Sequence, residues 1–165
     1  MRKLSVFILL PLLIFGCKQK QDTGLLEDNS ALDFKADELP VRKKVNAKSA
    51  EILRGWVEYN AFETSFDAVY NATNREDLIL TIDDLIEKHK KWYSSTYPAQ
   101  FDKAQIKSRQ KVLRTYLLKL KSSLEYRTDF QTATKEMIDS YNALRNQFDV
   151  MVNSTIDPKL LSDEE

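Results

Sequence analysis

From residue 40 onward, the chain contains very few of the residues that build tight turns. The only glycine in this region is Gly55, and beyond Pro40 the only prolines are Pro98 and Pro158. Sheet architectures need frequent turns between short strands, and glycine and proline are the usual residues in those turns. The shortage of both therefore predicts long helical elements and an all-α fold.

The apolar residues of the same region recur every three or four positions, which is the spacing of one face of an α-helix. Four such series follow one another, over residues 45–69, 78–92, 106–124 and 130–151. Amphipathic helices joined by short connections pack against their neighbours in antiparallel order. The pattern predicts an antiparallel bundle of about four helices over residues 41–153, followed by a C-terminal tail, 154–165.

The boundaries between the predicted helices differ in how clearly the sequence marks them. Residues 73–76, Thr-Asn-Arg-Glu, have the spacing of a capping box before the second series, and 94–98 end that series with a proline. No glycine or proline separates the third series from the fourth. The seven-residue step of the third series does not continue into the fourth, which begins one position early at Phe130. This change of phase predicts a break near 127–130, instead of one helix of about 55 residues and roughly 80 Å.

The N-terminus has the layout of an export signal. Two basic residues precede an apolar stretch, 4–15, that is too short to span a bilayer as a permanent helix. Ile-Phe-Gly-Cys at 14–17 closes this stretch and resembles the lipobox of bacterial lipoprotein precursors. The resemblance is limited to this N-terminal segment, and it implies a signal peptide over 1–16 and a lipid on Cys17. An ordinary signal peptide and a chance apolar N-terminus are the alternatives.

Residues 17–40 have no sustained apolar period and are rich in Asp and Glu. We interpret them as a flexible acidic tether between the lipid and the bundle, with a root-mean-square reach of roughly 25 Å. Within it, Leu25-Leu26 and 34–39 are candidates for a short docking helix. Lys18 stands where well-studied enteric lipoproteins held at the inner membrane carry an aspartate, so the resemblance favours the outer membrane.

Charge and composition exclude several classes of protein. Residues 1–16 hold two of the 25 basic residues and none of the 25 acidic ones, which leaves 149 residues with a side-chain charge of −2. A general nucleic-acid binder carries a large basic excess, so no binding to nucleic acid is predicted. No second apolar run reaches the length of about 18 residues that a membrane helix needs. The single cysteine excludes an intramolecular disulfide, so the core must hold the domain together.

His89 is the residue whose chemistry stands out. It lies three or four positions from Leu85, Ile86 and Trp92, on the apolar side of the second predicted helix. One interpretation makes it a ligand, or a general base, in an aromatic pocket that also contains Trp56 and Trp92. The other interpretation makes it a packed histidine whose ring adjoins the core while one nitrogen bonds to water or a carbonyl.

Other signals of catalysis or metal binding are missing from the sequence. With one histidine and no Glu-x-x-His pair, the ligands of a carboxylate-bridged metal site are lacking. The sequence also contains no glycine-rich phosphate loop, nucleophile elbow, dinucleotide fingerprint or haem-attachment motif. We therefore predict no catalytic residue, no metal ion and no cofactor, and we do not expect an enzyme.

The third predicted helix is strongly basic. Lys103, Lys107, Lys111 and Arg114 fall at helical spacing on one side of it, and no acidic residue lies between them. The second predicted helix begins with several acidic residues, so mutual complementarity and solvation form one interpretation. The other is a patch that contacts anionic lipid headgroups, acidic polysaccharide or an acidic protein.

These features predict a non-enzymatic, lipid-anchored helical bundle that acts as an interaction or scaffold module of a Gram-negative cell envelope. Its expected partners are the membrane, through the lipid, and a protein or another envelope component. The alternative hypothesis is a bundle that binds a small or apolar molecule in the aromatic pocket near His89.

Overall fold

The computed structural model describes residues 34–154, and every regular element in that range is helical. The α-helices are α1 (Ala47–Arg54), α2 (Val57–Asn71), α3 (Arg75–Tyr93), α4 (Ala104–Glu125) and α5 (Phe130–Asn153). One 3-10 turn, Ala36–Glu38, precedes them. The predicted all-α helical bundle is confirmed. The predicted signal peptide, Cys17, Leu25-Leu26 and the C-terminal tail beyond 154 lie outside the described residues.

The first apolar series forms two helices, where the sequence analysis expected one. α1 ends at Arg54, and the backbone N–H groups of Gly55 and Trp56 bond to carbonyls three residues back, which tightens the last turn. Trp56 then adopts an extended conformation with φ −97° and ψ 95°. The Asn60 side chain donates to the carbonyls of Leu53 and Arg54 at the end of α1. The break places the Trp56 ring in the core. A single glycine within an apolar series does not by itself predict such a break.

The later boundaries follow the predicted breaks closely. α3 begins after Asn74, whose side-chain oxygen accepts a hydrogen bond from the Asp77 amide at 2.9 Å, one residue later than the predicted capping box. α4 and α5 are separate helices. Between them, Arg127 has a φ of 52°, in the left-handed region, and the Asp129 carboxylate accepts from the Thr132 amide at 2.9 Å. The predicted break between the third and fourth series is therefore confirmed.

Helices α2 to α5 enclose a core rich in aromatic rings. Phe66 of α2 packs on Tyr141 of α5 with 4.4 Å between ring centroids, and Phe62 of α2 lies 5.2 Å from Trp92 of α3. α4 supplies buried aliphatic side chains, namely Ile106, Leu113, Leu117, Leu120 and Leu124. Fully burying a side chain of this size contributes about 1.5–3 kcal/mol before the loss of chain entropy. Packing of this kind stabilises the domain without a disulfide.

The segment 34–46, here called the strap, runs along α5 in the same direction as that helix. Side chains of α5 hold its backbone. The Gln131 amide bonds to both the N–H and the carbonyl of Lys35, at 3.1 and 2.9 Å. The Asn142 amide bonds to the N–H of Lys43 at 2.8 Å and to the carbonyl of Val41 in the strap at 3.0 Å. The end of the predicted tether is therefore part of the packed domain.

The bundle has two distinct ends. At the tether end the strap begins, with Phe34 stacked on Phe130 at the start of α5. At the distal end, the α3–α4 loop and the start of α1 meet the end of α5. Phe101 of that loop lies 4.7 Å from the Phe148 ring of α5, measured between ring centroids. Because α5 has 24 residues, the two ends are about 36 Å apart.

Candidate functional site

A cleft of about 720 Å³, here called the distal cleft, opens at the distal end of the bundle. Its volume falls within the range of about 300–1,000 Å³ that is typical of ligand sites. The floor is apolar and comes from three parts of the chain: Ile52 of α1, Ala99 of the α3–α4 loop, and Met151 and Val152 of α5. Because Ile52 and Met151 are half-buried against the core, the floor is continuous with the packed interior.

Polar side chains form the rim of the distal cleft. Lys48 and Lys103 lie there with Gln100, Gln105 and Ser154. Lys48 is the second residue of α1, and Lys103 is the residue immediately before α4. Among the described residues, 34–154, none that lines the cleft is acidic. The side chains around the cleft therefore carry a positive charge.

Helix termini add to the positive potential of the distal cleft. The N-termini of α1 and α4 both adjoin it, and a helix N-terminus carries roughly half a positive charge. α4 begins without a side-chain cap and has no acidic residue in its own first turn; Asp102, which precedes the helix, is paired with Lys107. The end of α5 contributes the opposite partial charge at Ser154, whose hydroxyl donates to the Val150 carbonyl at 2.6 Å. The α5 C-terminus and the Asp149 carboxylate, which accepts from the Asn46 amide at 3.0 Å, offset part of this potential. The two rim lysines remain, so the cleft favours an anionic group over a cationic one.

The four basic residues predicted to share one side of α4 have different surroundings in the structure. Lys103 belongs to the distal cleft. Lys107 forms an ion pair with Asp102 at 2.5 Å, which offsets part of its charge. Lys111 and Arg114 are exposed further along α4. The predicted contact with an anionic surface stays a prediction, and Lys103 and Lys111 are its most accessible lysines.

Charge complementarity between neighbouring helices is present in the second half of α4. Lys121 pairs with Asp83 of α3 at 2.6 Å, and this hydrogen bond raises the pKa of Lys121. Lys119 pairs with Glu136 of α5 at 2.5 Å. These pairs account for part of the basic charge that the sequence concentrates in α4.

His89 lies in the core, with 1 % of its surface exposed. Its Nε2 is 2.9 Å from the backbone carbonyl oxygen of Gln110, which assigns the proton to that nitrogen as donor. The ring stacks on Tyr93 and adjoins Trp92. Burial lowers the pKa of His89 to about 4; the Gln110 carbonyl opposes this shift, and the Arg114 guanidinium adds to it. His89 is therefore neutral at neutral pH.

The structure brings the three residues of the predicted aromatic pocket together. The Trp92 ring lies 5.6 Å from the Trp56 ring and 5.9 Å from His89, and Trp56 Nε1 donates to the Ser95 hydroxyl at 2.8 Å. All three side chains are buried, and they line neither the distal cleft nor two smaller clefts of about 410 and 420 Å³. Trp92 Nε1 and Nε2 of the neighbouring Gln110 are buried donors that have no hydrogen-bond partner in the described part of the chain.

A buried charged group that was not predicted from the sequence lies between α2 and α5. Nη1 of Arg145 lies 2.6 Å from both carboxylate oxygens of Glu63. The hydroxyls of Tyr59 and Tyr141 also donate to Glu63, and burial raises the pKa of both tyrosines, so they remain protonated. Nε of Arg145 donates to the Lys43 carbonyl in the strap. The sequence contains one indication of this buried charge, namely an arginine inside an apolar series, four residues after Tyr141.

Within residues 34–154, no group of three or more His, Cys, Asp or Glu side chains is placed to hold a metal ion. None of the helices in this range is both long enough and apolar enough to cross a membrane. No protein-family model, curated protein or solved structure matches the chain.

Proposed function

We propose that this chain is a lipid-anchored, non-enzymatic interaction or scaffold module of a bacterial cell envelope. The lipid on Cys17 holds it to a membrane, and Lys18 favours the outer membrane. The distal end of the bundle contacts a protein or another envelope component that carries acidic groups.

The opposite placement of Phe34, where the strap begins, and the distal cleft is the observation that supports this proposal most. A lipid on Cys17 holds the bundle through Phe34, which packs at the tether end. The distal cleft lies at the other end of α5, about 36 Å away. An anchored domain of this shape can turn its basic end away from its own membrane and toward a partner. Tethering also raises the local concentration of the module, which strengthens weak contacts.

The environment of His89 supports the non-enzymatic part of the proposal. A general base works best when its pKa lies near the working pH and its nitrogen reaches the substrate. The pKa of His89 is about 4, its side chain is buried, and its Nε2 is engaged by the Gln110 carbonyl. These properties suit a packed core residue better than a catalytic one.

The test is site-specific photo-crosslinking in cells that produce the lipidated chain. A photoreactive residue at Gln100 probes the distal end, and one at the exposed Tyr126 is the matched probe of the tether end. A discrete adduct from position 100, absent from position 126 and reduced in a Cys17→Ala background, is the expected result. Adducts of equal yield from both positions, or none from position 100, would overturn the proposal.

A further inference from the structure

The residues that follow the distal cleft along the chain combine aliphatic and acidic side chains. Residues 155–165, here called the C-terminal segment, begin directly after Ser154, which lines the cleft. The segment contains Ile156, Leu160, Leu161, Asp157, Asp163, Glu164 and Glu165. We infer that the C-terminal segment occupies the distal cleft of its own chain and competes there with the acidic partner. The competition rests on the proposed function, whereas the docking does not.

Charge complementarity is the first argument for this occupant. The C-terminal segment has four acidic residues against one basic residue, Lys159. The rim of the cleft carries Lys48 and Lys103, and no acidic side chain from the described part of the chain lines it. The N-termini of α1 and α4 add positive potential at the same place. Such charges at a solvent-exposed rim determine mainly which segment binds and in which orientation.

Apolar complementarity is the second argument, and it supplies most of the attraction. The floor of the cleft exposes parts of Ile52, Ala99 and Met151 to solvent. Removal of aliphatic surface from water is the main favourable contribution to association. The adjacent leucines, Leu160 and Leu161, give the C-terminal segment a compact apolar anchor that matches this floor.

The C-terminal segment is also close to the cleft along the chain, because it follows Ser154 directly. Eleven residues span at most about 40 Å when fully extended, so chain length does not prevent the segment from folding back from Ser154. Covalent connection over so few residues gives an effective concentration on the order of millimolar. A segment that binds in trans with only millimolar affinity therefore occupies its own cleft about half of the time.

This occupant also indicates which kind of partner the cleft accepts. A competing ligand must present the same chemistry, namely two or three aliphatic side chains next to several carboxylates. We therefore assign the distal cleft to an acidic peptide segment of a partner protein, which has to displace residues 155–165 before it binds.

The test is carbodiimide cross-linking of the purified full-length chain, followed by peptide mass spectrometry. The reagent joins a lysine amine to a carboxylate in direct contact. Docking predicts at least about tenfold more links from the C-terminal segment to Lys48 and Lys103 than to Lys111. Lys111 is the matched control, because it is exposed on α4 and does not line the cleft. Equal yields at the three lysines would overturn the inference.

Isotopic mixing separates docking within one chain from docking between two copies. Cross-links in an equal mixture of ¹⁴N- and ¹⁵N-labelled chains are expected to join peptides of the same label. Mixed-label links in statistical proportion would overturn docking within the chain and assign the cleft to the segment of a second copy.

Variants in the C-terminal segment test the apolar anchor without touching the bundle. Leu160→Ser combined with Leu161→Ser leaves all carboxylates in place, and Ser162→Ala is the matched control. The double variant is expected to lower the links to Lys103 to the level seen at Lys111, whereas the control keeps them. An unchanged preference in the double variant would contradict the docked arrangement, because charge attraction alone would then explain the links.

The two proposals fail in different ways. If docking is correct and the proposed function is also correct, the double variant gives a stronger partner adduct from a photoreactive residue at Gln100. If the cross-links favour Lys48 and Lys103 over Lys111 but no partner adduct forms, only the proposed function is overturned. If a partner adduct forms at position 100 but the three lysines are cross-linked equally, only the docking is overturned.

Discussion

Nη1 of Arg145 lies 2.6 Å from both carboxylate oxygens of Glu63, across the interface between α2 and α5. The Arg145 side chain is 8 % exposed and also donates to the Lys43 carbonyl of the strap. A buried charge is tolerated when it is paired and hydrogen-bonded. This pair therefore connects two helices and the segment through which the predicted lipid anchor holds the domain.

Substitution of Glu63 by Gln is expected to lower the free energy of unfolding by about 3–5 kcal/mol, because it leaves the buried Arg145 without its counter-ion. Urea titration of the variant measures the change. The matched control is Glu136→Gln, which breaks the exposed pair with Lys119 and is expected to change stability by at most about 1 kcal/mol. Equal losses in the two variants would contradict the structural role of the buried pair.

Gly55→Ala is expected to stabilise the domain. Gly55 has a φ of −79°, which any residue adopts, and a Cβ placed there meets its nearest atom, the Ile52 carbonyl oxygen, at 3.7 Å. Alanine reduces the freedom of the unfolded chain, so the gain is about 0.4–1 kcal/mol. Trp56→Ala is the contrasting variant, with an expected loss of about 3–5 kcal/mol from the emptied core. A destabilised Gly55→Ala protein in thermal unfolding would show that the glycine itself causes the break.

The stability of the domain is expected to fall at acidic pH because of His89. The pKa is about 6.5 in the unfolded chain and about 4 in the folded one, so the unfolded state binds the proton more readily. The full contribution is present above pH 6.5, and up to about 3 kcal/mol is lost as the pH falls to 4. The Tyr93 ring stacks on His89, and the positive charge of Arg114 adds to the lowering of its pKa.

The variant that isolates this effect is His89→Gln, whose amide can still donate to the Gln110 carbonyl. Relative to the original protein, the unfolding free energy of this variant is expected to rise by about 2–3 kcal/mol between pH 7 and pH 4.5, because only the original protein loses the His89 contribution. At pH 7 we expect a loss of about 0.5–3 kcal/mol. Parallel pH profiles for the two proteins would show that His89 does not titrate as a buried neutral group.

Binding to anionic vesicles tests the basic side of α4. If Lys103, Lys107 and Lys111 contact anionic headgroups, their reversal to Glu should weaken binding of a chain that begins at residue 18 by about 100-fold or more. Binding should also weaken steeply with salt, because exposed charges are screened beyond about 8–10 Å. A single reversal at the exposed Lys91 of α3 serves as the control. Identical binding to neutral and anionic vesicles would show that these lysines are only solvated surface.

Lipidation of Cys17 is tested by metabolic labelling with a fatty-acid analogue, followed by detergent partitioning. One acyl chain gives marginal attachment and two give a stable anchor, at about 0.8 kcal/mol per buried methylene. Cys17→Ala should therefore lose the label, and it should either keep residues 1–16 or be released as soluble protein. Label retained by this variant, or an unlabelled original protein that partitions into water, would contradict the lipobox interpretation.

Local sequence signals predicted the helical class and most helix boundaries. The change of apolar phase before Phe130 predicted the break between α4 and α5, because the side of a helix that faces the core depends on residues three and four positions apart. The same logic failed at Gly55. There, the chain bends so that Trp56 packs in the core, and that gain depends on rings of α3 and α5. A residue-by-residue pattern does not contain those partners.

The sequence by itself determined that the chain from residue 47 to 153 is helical, since turn residues and apolar spacing act over a few neighbouring positions. The tertiary structure decided where the strap lies, which arginine is buried and which lysines line the distal cleft. Arg145 and Glu63 are 82 positions apart, and Lys48, Lys103 and Met151 come from three different helix ends. Contacts of this kind exist only after packing, because the free energy of a cleft or a buried ion pair depends on everything that surrounds it.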